Sequence, residues 1–350
     1  MMRGPALPAR NTPQPGHRVF RVLVLGTGQL SIALAATKPN NVEMVVVGRE
    51  TLDVGDPSVV RRSPVFRGVD AVINTAAFTA VDAAQDSAKQ DEVHRVNVGA
   101  PEYIARRCAS RGLPLIHVST DYVFGAPVAG RADTAADGVV GRPLRPEDPP
   151  CPSSMYGATK LLGEQLLAAA CPQASVVRTA WLYTGRALGQ RHAGDFVCTM
   201  LRLAEQGVCP AVVDDQWGSP TFAPDLARWL WRLTGIKIVS RHRAVGNAFS
   251  VGDAAAIYRS ATCPAAGVLH AAGEKPASWY LLAREVFAAA GYDPDRVCAT
   301  TTANYPRPAP RPAWSVLATS RDVVDVPVAG FTDRVRTAVT KTCPRPATLW

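Results

Sequence analysis

Along the first half of the chain, short apolar runs alternate with segments whose apolar positions recur at helical spacing. The runs at 19–25, 42–47, 71–75, 115–119 and 175–179 read as strands, and 29–36, 98–111 and 156–170 read as helices. Unbroken apolar strands alternating with helices predict a parallel sheet covered on both faces, an α/β architecture. Ligands in such sheets bind beyond the carboxyl ends of the strands. A glycine turn after the first strand, the segment Ala76-Ala77-Phe78 after the third and Ser119-Thr120-Asp121 after the fourth all fall there.

The second half is less regular. Residues 208–234 read as a strand, a loop and a helix with Pro224 in its first turn. SWYLLAREVFAAAG reads as an amphipathic helix with Ser278 as its N-cap. The proline-dense NYPRPAPRPAW is excluded from regular structure. Residues 126–150, rich in Gly, Pro and Asp, read as a long loop before the 156–170 helix. There is no internal repeat.

Composition narrows the class. A chain of 350 residues, 47% hydrophobic and 19% charged, suits a soluble globular protein. No apolar run approaches a membrane span of ~20 residues. Residues 1–18, rich in Pro and Arg without an apolar core, are expected to form a disordered tail and make no signal peptide. The eight cysteines form no C-x-x-C pair, so free thiols in a reducing cytoplasm are expected. The histidines lack metal-ligand spacing, and His117, inside a strand, reads as a satisfied core residue. The formal charge of +9 is spread without a basic run, which argues against nucleic acid and suits small anionic ligands.

Candidate chemistry centres on Tyr156 and Lys160, four residues apart in SSMYGATKLLGEQ. On a helix these positions share a face. A lysine ammonium beside a tyrosine hydroxyl favours the phenolate, so the Tyr156 pKa is expected to fall toward working pH. Such a tyrosine can exchange a proton with a substrate oxygen.

Nine ordered motifs now define a resemblance: GTGQL, VINTAAFTAVDAA, RVNVGAPEYIA, HVSTDYVF, YGATKLLGEQ, VVRTAWLYTG, VVDDQWGSPTFAPDLA, SWYLLA and RPAPRPAWSVL. The chain resembles the dTDP-4-dehydrorhamnose reductase family of extended short-chain dehydrogenase/reductases, over residues 19–235 and 266–320. The resemblance implies a Rossmann-type doubly wound parallel sheet with a smaller C-terminal substrate-binding domain. It places the dinucleotide-binding domain at 19–182, with 208–235 returning to it. It places the substrate region at 183–207 and 236–345, within which 236–265 reads as an insertion.

The resemblance also implies a reaction. Hydride from a reduced nicotinamide reaches C4 of dTDP-4-dehydro-6-deoxy-L-mannose, giving dTDP-L-rhamnose. Tyr156 is the implied proton donor. Lys160 lowers its pKa and holds the nicotinamide ribose, and Thr120 holds the carbonyl oxygen. Gly26, Thr27, Gly28, Gln29 and Leu30 match the family's phosphate loop. Ala76, Ala77, Phe78, Asn97 and Ser119 match cofactor-lining positions, with a helix N-cap as the alternative for Asn97. Thr79, Val81, Tyr122 and Trp181 match sugar-binding positions, with core packing as the alternative for Trp181. At the end of the second strand Gly48 stands where an acidic residue would bind a ribose 2′-hydroxyl, and Arg49 suits a 2′-phosphate. This tilts the cofactor toward NADPH, with NADH as the alternative and a solvated arginine as the plain reading of Arg49.

Several positions depart from the family pattern. The glycine loop is one residue short and Ser31 replaces its last glycine. Trp314, Ala318 and Asp195 replace the usual Asn, Asp and Asn. Ala33 falls where some relatives carry a glutamate that binds a divalent metal at a dimer contact, so no metal is expected. The implied protein is a monomer or weak homodimer with a dTDP-sugar as its small-molecule partner. Two alternatives stay open: a non-catalytic dinucleotide-binding regulator, favoured by the altered loop, and a reductase for another nucleotide sugar.

Overall fold

The structure is a computed structural model and describes residues 19–125, 141–188, 194–235, 266–324 and 330–340. The expected tail 1–18, residues 126–140 of the expected long loop and the 236–265 segment lie outside the described residues.

Strands β1 (Phe20–Leu25), β2 (Val42–Val47), β3 (Ala71–Asn74), β4 (Leu115–Thr120) and β5 (Ser175–Thr179) form the expected parallel sheet, within a residue of the apolar runs. The intervening helices are α1 (Gln29–Ala36), α2 (Pro57–Arg62), α3 (Gln90–His94), α4 (Ala100–Ala109) and α5 (Met155–Ala170). The helix expected over 98–111 begins later, because a π-helical turn, Arg95–Gly99, joins α3 to α4.

The chain continues through β6 (Leu182–Tyr183), α6 (Phe196–Glu205), β7 (Ala211–Val213), β8 (Trp217–Gly218), β9 (Thr221–Phe222) and α7 (Ala223–Leu233). It then forms β10 (Gly267–His270), β11 (Ala277–Ser278), α8 (Trp279–Ala289), β12 (Cys298–Thr300) and α9 (Phe331–Val339).

The main sheet has six strands in the order β2-β1-β3-β4-β5-β10, all parallel. Strand β10 was not expected. It is four residues long and only half apolar in pattern, but it pairs with β5 and closes the sheet edge. The chain leaves β1 for β2 on one side and returns to β3 on the other, which puts the topological switch between β1 and β3.

Alternation along β1 builds both faces. Val22 and Val24 join one core with Leu34, Ile73, Ile116 and α7, while Leu23 and Leu25 join the other with Val72, Ile104, Leu115 and Leu167. Helix α7 returns to this sheet: the Trp231 indole donates to the Leu34 carbonyl of α1 at 3.1 Å. Helices α6, α8 and α9 pack around a separate core of Val197, Leu201, Val286, Phe287 and Val335. Small sheets β6–β9, β7–β12 and β8–β11 connect this layer to the rest. Among the described residues no helix is long and apolar enough to cross a membrane.

Candidate active site

The glycine turn opens the site. Gly26 has φ +109°, and a Cβ there would fall 2.6 Å from Thr75 Oγ1, so only glycine fits. At Gly28 a Cβ would meet nothing within 4 Å, so the protein itself does not demand glycine there. Helix α1 starts at Gln29 with no side-chain cap on its first N–H groups. A glycine facing open space beside an uncapped helix N-terminus is the arrangement that admits an anion close to backbone N–H donors. Leu30 is buried in the core, so its part in such a site is its backbone. The Gln29 amide is engaged elsewhere: it donates to Thr184 Oγ1 at 3.0 Å and to Asp195 Oδ2 at 2.9 Å.

Ser31 explains itself. It is buried, and its hydroxyl donates to the Gly26 carbonyl at 2.7 Å and lies 2.9 Å from Thr75 Oγ1. The residue that replaces the last glycine therefore pins the turn that glycine would leave free. Gly48 is set by packing, since a Cβ would lie 2.9 Å from Thr27 Cγ2. Arg49 is exposed beyond β2 and pairs with Glu92 at 2.9 Å.

The segment after β3 is bracketed by Asn97. Its side chain accepts from Phe78 N–H at 2.9 Å and donates to the Phe78 carbonyl at 3.1 Å. It is not an N-cap: it lies within the π-helical turn and fixes Ala76-Ala77-Phe78 across the site. Helix α5 approaches this turn so closely that a Cβ on Gly163 would fall 2.0 Å from the Asn97 carbonyl oxygen.

Tyr156 and Lys160 stand on α5, whose Ser154 N-cap accepts from Gly157 N–H at 3.2 Å. Tyr156 sits among Ala84, Val93, Phe78, Val81, Tyr122 and Met155. Tyr122 meets it edge to face at 5.5 Å. The expectation of a lowered tyrosine pKa is overturned. Burial pushes the Tyr156 phenol up to about 12, against the nearby Thr120 hydroxyl, which pulls it down. The physical reason is where Lys160 points: its Nζ donates to the Val118 carbonyl at 2.9 Å and lies 3.2 Å from His117 Nε2. Burial lowers the Lys160 pKa to about 8, with Glu164 opposing.

Thr120 ends β4. Its Oγ1 donates to Asp121 Oδ1 at 3.2 Å and accepts from Tyr122 N–H at 3.2 Å. The Ser119 hydroxyl is buried without a partner among the described residues. Thr79 is exposed at the mouth of the segment, near the half-buried Val81. Trp181, with φ 45°, stacks on Trp279 at 3.7 Å, and a Cβ on Gly218 would fall 2.4 Å from its ring. Core packing thus already engages the ring. Trp181 and Trp279 line a cavity of about 430 Å³ with Gln29, Asp195 and Phe196. That cavity touches the glycine turn but not Tyr156, Lys160 or Thr120.

Sequence reasoning missed five contributors. Asp121 is fully enclosed, accepts from Ser315 Oγ at 2.6 Å, and has its pKa raised to about 6 by burial. Glu164 and Arg178 form a buried bidentate pair, 2.7 Å at the shortest contact, beneath Lys160. Arg311 pairs with Asp82, 229 positions away, and ties the proline-dense segment to the loop after β3. The charged residues in STD and LLGEQ were visible signals, whereas the Asp82–Arg311 pairing had none.

The sequence profile of the family described as "RmlD substrate binding domain" matches residues 20–342. A dTDP-4-dehydrorhamnose reductase of Mycobacterium tuberculosis is 38% identical over 302 residues, 86% of this chain and 85% of the relative. A probable dTDP-4,6-dihydroxy-2-methyloxan-3-one 4-ketoreductase of Streptomyces antibioticus is also 38% identical, over 81% of this chain and 80% of that one. Among solved structures, a dTDP-4-dehydrorhamnose reductase of Clostridium acetobutylicum superposes with a TM-score of 0.70 at 29% identity, covering 91% of this chain and 98% of that one. The match to the family profile spans the sheet, the glycine turn and the Tyr–Lys helix together, and the chain therefore belongs to the RmlD substrate binding domain family.

Proposed function

We propose that the chain reduces the C4 ketone of dTDP-4-dehydro-6-deoxy-L-mannose to dTDP-L-rhamnose, with NADPH as hydride donor. The carrying observation is the joint at the end of β4. There the Thr120 hydroxyl acts on the buried Tyr156 phenol, with Lys160 one turn along the same helix face. This joint stands in one sheet with an uncapped glycine turn at the β1/β3 switch. The names of the relatives support the substrate class.

The residues fit a dinucleotide. Gly28 leaves room for a pyrophosphate against backbone N–H groups, and the partnerless Ser119 hydroxyl faces no competing protein group. Gly26, Thr27, Gln29 and Leu30 supply the loop, Ala76, Ala77, Phe78 and Asn97 the opposite wall, and Arg49 the 2′-phosphate contact. Bound there, the reduced nicotinamide supplies hydride to C4. The alkoxide that forms takes the Tyr156 proton: the phenol O–H bond breaks and a phenolate remains. A phenol held near 12 keeps its proton at neutral pH and releases it to an alkoxide, the stronger base. Thr120 turns its hydroxyl from Asp121 to the carbonyl oxygen and stabilises charge as it grows there. Thr79, Val81, Tyr122 and Trp181 hold the sugar nucleotide, which lies toward the smaller layer. The protein works as a monomer or weak homodimer.

The test is NADPH consumption with the dTDP-4-keto-6-deoxysugar, run beside the UDP and GDP analogues and with NADH. Turnover confined to the dTDP substrate is expected. Dinucleotide binding without turnover on any ketone would favour a regulator. Because the Streptomyces antibioticus relative is as similar as the reductase of Mycobacterium tuberculosis, a different dTDP-linked 4-keto sugar is the second substrate to assay.

A further inference from the structure

Trp181 holds a backbone conformation that its residue type resists. Its φ of 45° is left-handed, and among the described residues no other non-glycine residue has a positive φ. Such strain persists only where the surroundings over-determine it, and it gathers at ligand sites.

Two neighbours determine it here. On one face the Trp279 ring lies parallel to the Trp181 ring, 3.7 Å away and 5° off its plane. On the other stands the backbone of Gly218. A Cβ on Gly218 would fall 2.4 Å from Trp181 Cε2, and 2.6 and 2.7 Å from Nε1 and Cζ2, the two atoms bonded to Cε2 along the rim. A point nearest Cε2 and almost equally far from both neighbours lies over the ring face, because at the rim Nε1 or Cζ2 would be nearest. A ring stacked parallel at 3.7 Å fills that height over its own face, so Trp279 and Gly218 hold opposite faces.

Both jaws ride on one unit. Gly218 on β8 pairs with Ala277 on β11, and Trp279 opens α8 two residues after Ala277. Ser278 between them donates to Asp214 and caps α8 by accepting from Leu281 N–H at 3.1 Å. The Trp181 carbonyl is tied as well, accepting from Thr221 N–H at 3.1 Å. Trp181 also packs against the cluster that contains Val123 and Phe124 of the turn after β4. It is half-buried, and its Nε1–H is neither paired with a described residue nor among the sealed polar atoms.

We infer that Gly218 and Trp279 are positioning residues of the proposed sugar-nucleotide site: they clamp the Trp181 indole so that it meets the ligand with its edge, Nε1–H donating, and not with a stacking face. The inference rests on the reading of Trp181 as a sugar-nucleotide contact. A ring covered on both faces has only its rim to offer. The two jaws stand in DDQWGSPT and SWYLLA, motifs to which the reduction itself assigns no step.

The experiment measures dTDP-L-rhamnose binding by calorimetry, on the full chain with NADP⁺ present. Trp181→Phe keeps an aromatic face and loses the donor, so it should weaken binding as much as Trp181→Leu, each roughly tenfold. Trp279→Leu removes one jaw and should weaken binding several-fold, whereas Trp279→Phe, which can still stack, should keep it. In the Trp181→Leu background Trp279→Leu should have no further effect, because a positioning residue acts through the ring it positions. In steady-state assays Trp279→Leu should raise KM for the ketone by the same factor and leave kcat within about twofold. Near wild-type affinity in Trp181→Phe would restore face stacking and overturn the edge contact. Losses that multiply in the double variant would overturn the positioning role. If Trp279→Leu does not fold, Gly218→Ala, which drives a methyl into the ring face, enters the same cycle with the same expectation. A wild-type chain that binds no dTDP-sugar would sink the site reading and the clamp with it. Wild-type binding with multiplying losses would sink the clamp alone.

Discussion

Tyr156 shows how far environment departs from residue type. Its neighbours are apolar or aromatic and its lysine is turned away, so the phenol is a poor acid at rest. The proposed chemistry needs its proton only once an alkoxide has formed. Tyr156→Phe should lower kcat by roughly 10²–10⁴-fold and leave NADPH affinity within about twofold, read by steady-state assay and fluorescence titration. Asp121 offers a second measurement. Its folded pKa of about 6 exceeds the ordinary 3.8, so the folded state binds more protons between those values. Stability therefore falls as pH rises from about 4 to about 6, and the cost is fully present above that window. Asp121→Asn should flatten this slope and raise stability at pH 7 by on the order of 2–3 kcal/mol, measured by urea unfolding across that range. An unchanged slope would show that another group titrates there.

At the scale of elements, the site depends on two close approaches. Ser31 joins α1 to the glycine turn, and Gly163 lets α5 touch the π-helical turn. Ser31→Gly removes a buried hydrogen bond and adds helix entropy, so unfolding should become easier by about 1–2 kcal/mol. Dinucleotide binding should persist, because the first-turn N–H groups remain. Gly163→Ala inserts a methyl 2.0 Å from a carbonyl oxygen and must push α5 away from Asn97. Destabilisation of about 1–3 kcal/mol is expected, with kcat falling more than KM rises because Tyr156 and Lys160 ride on that helix. Near wild-type kcat at reduced stability would mean that the helix shifts without moving the pair.

Across the whole molecule, Asp195 joins the glycine turn of the sheet layer to the smaller layer of α6. Its carboxylate accepts from Gln29 Nε2 in the glycine turn, from the Thr184 and Gly185 N–H groups, and from Cys198 N–H as the N-cap of α6. The departure from the family's asparagine thus supplies an acceptor-only group where every partner is a donor. Asp195→Ala should cost about 2–4 kcal/mol by orphaning several donors and uncapping α6. It should also weaken dinucleotide binding several-fold by freeing Gln29, read by calorimetry. Loss of stability with unchanged binding would confine its role to the smaller layer.

The sequence alone determined the five long strands, three of the helices between them (α1, α4 and α5, but not the short α2 and α3) and the positions of the glycine turn, STD segment and Tyr–Lys pair. Each is written in local apolar periodicity, and parallel strands buried on both faces leave that signal almost undiluted. The same logic made Ser278 legible as a cap, and Leu281 N–H does donate to it. Tertiary structure decided the rest. β10 carries too few apolar positions to declare itself and becomes a strand only because β5 offers an edge. The π-helical turn at Asn97 follows from packing against Gly163, a contact between segments with no shared local pattern. The protonation of the site is the clearest case. Sequence spacing put Lys160 beside Tyr156 and implied a lowered phenol pKa, but spacing along a helix fixes only which face a side chain leaves from. Where its end group goes was decided by His117 and the Val118 carbonyl on a neighbouring strand. Burial, which no local pattern measures, then set the direction of both shifts.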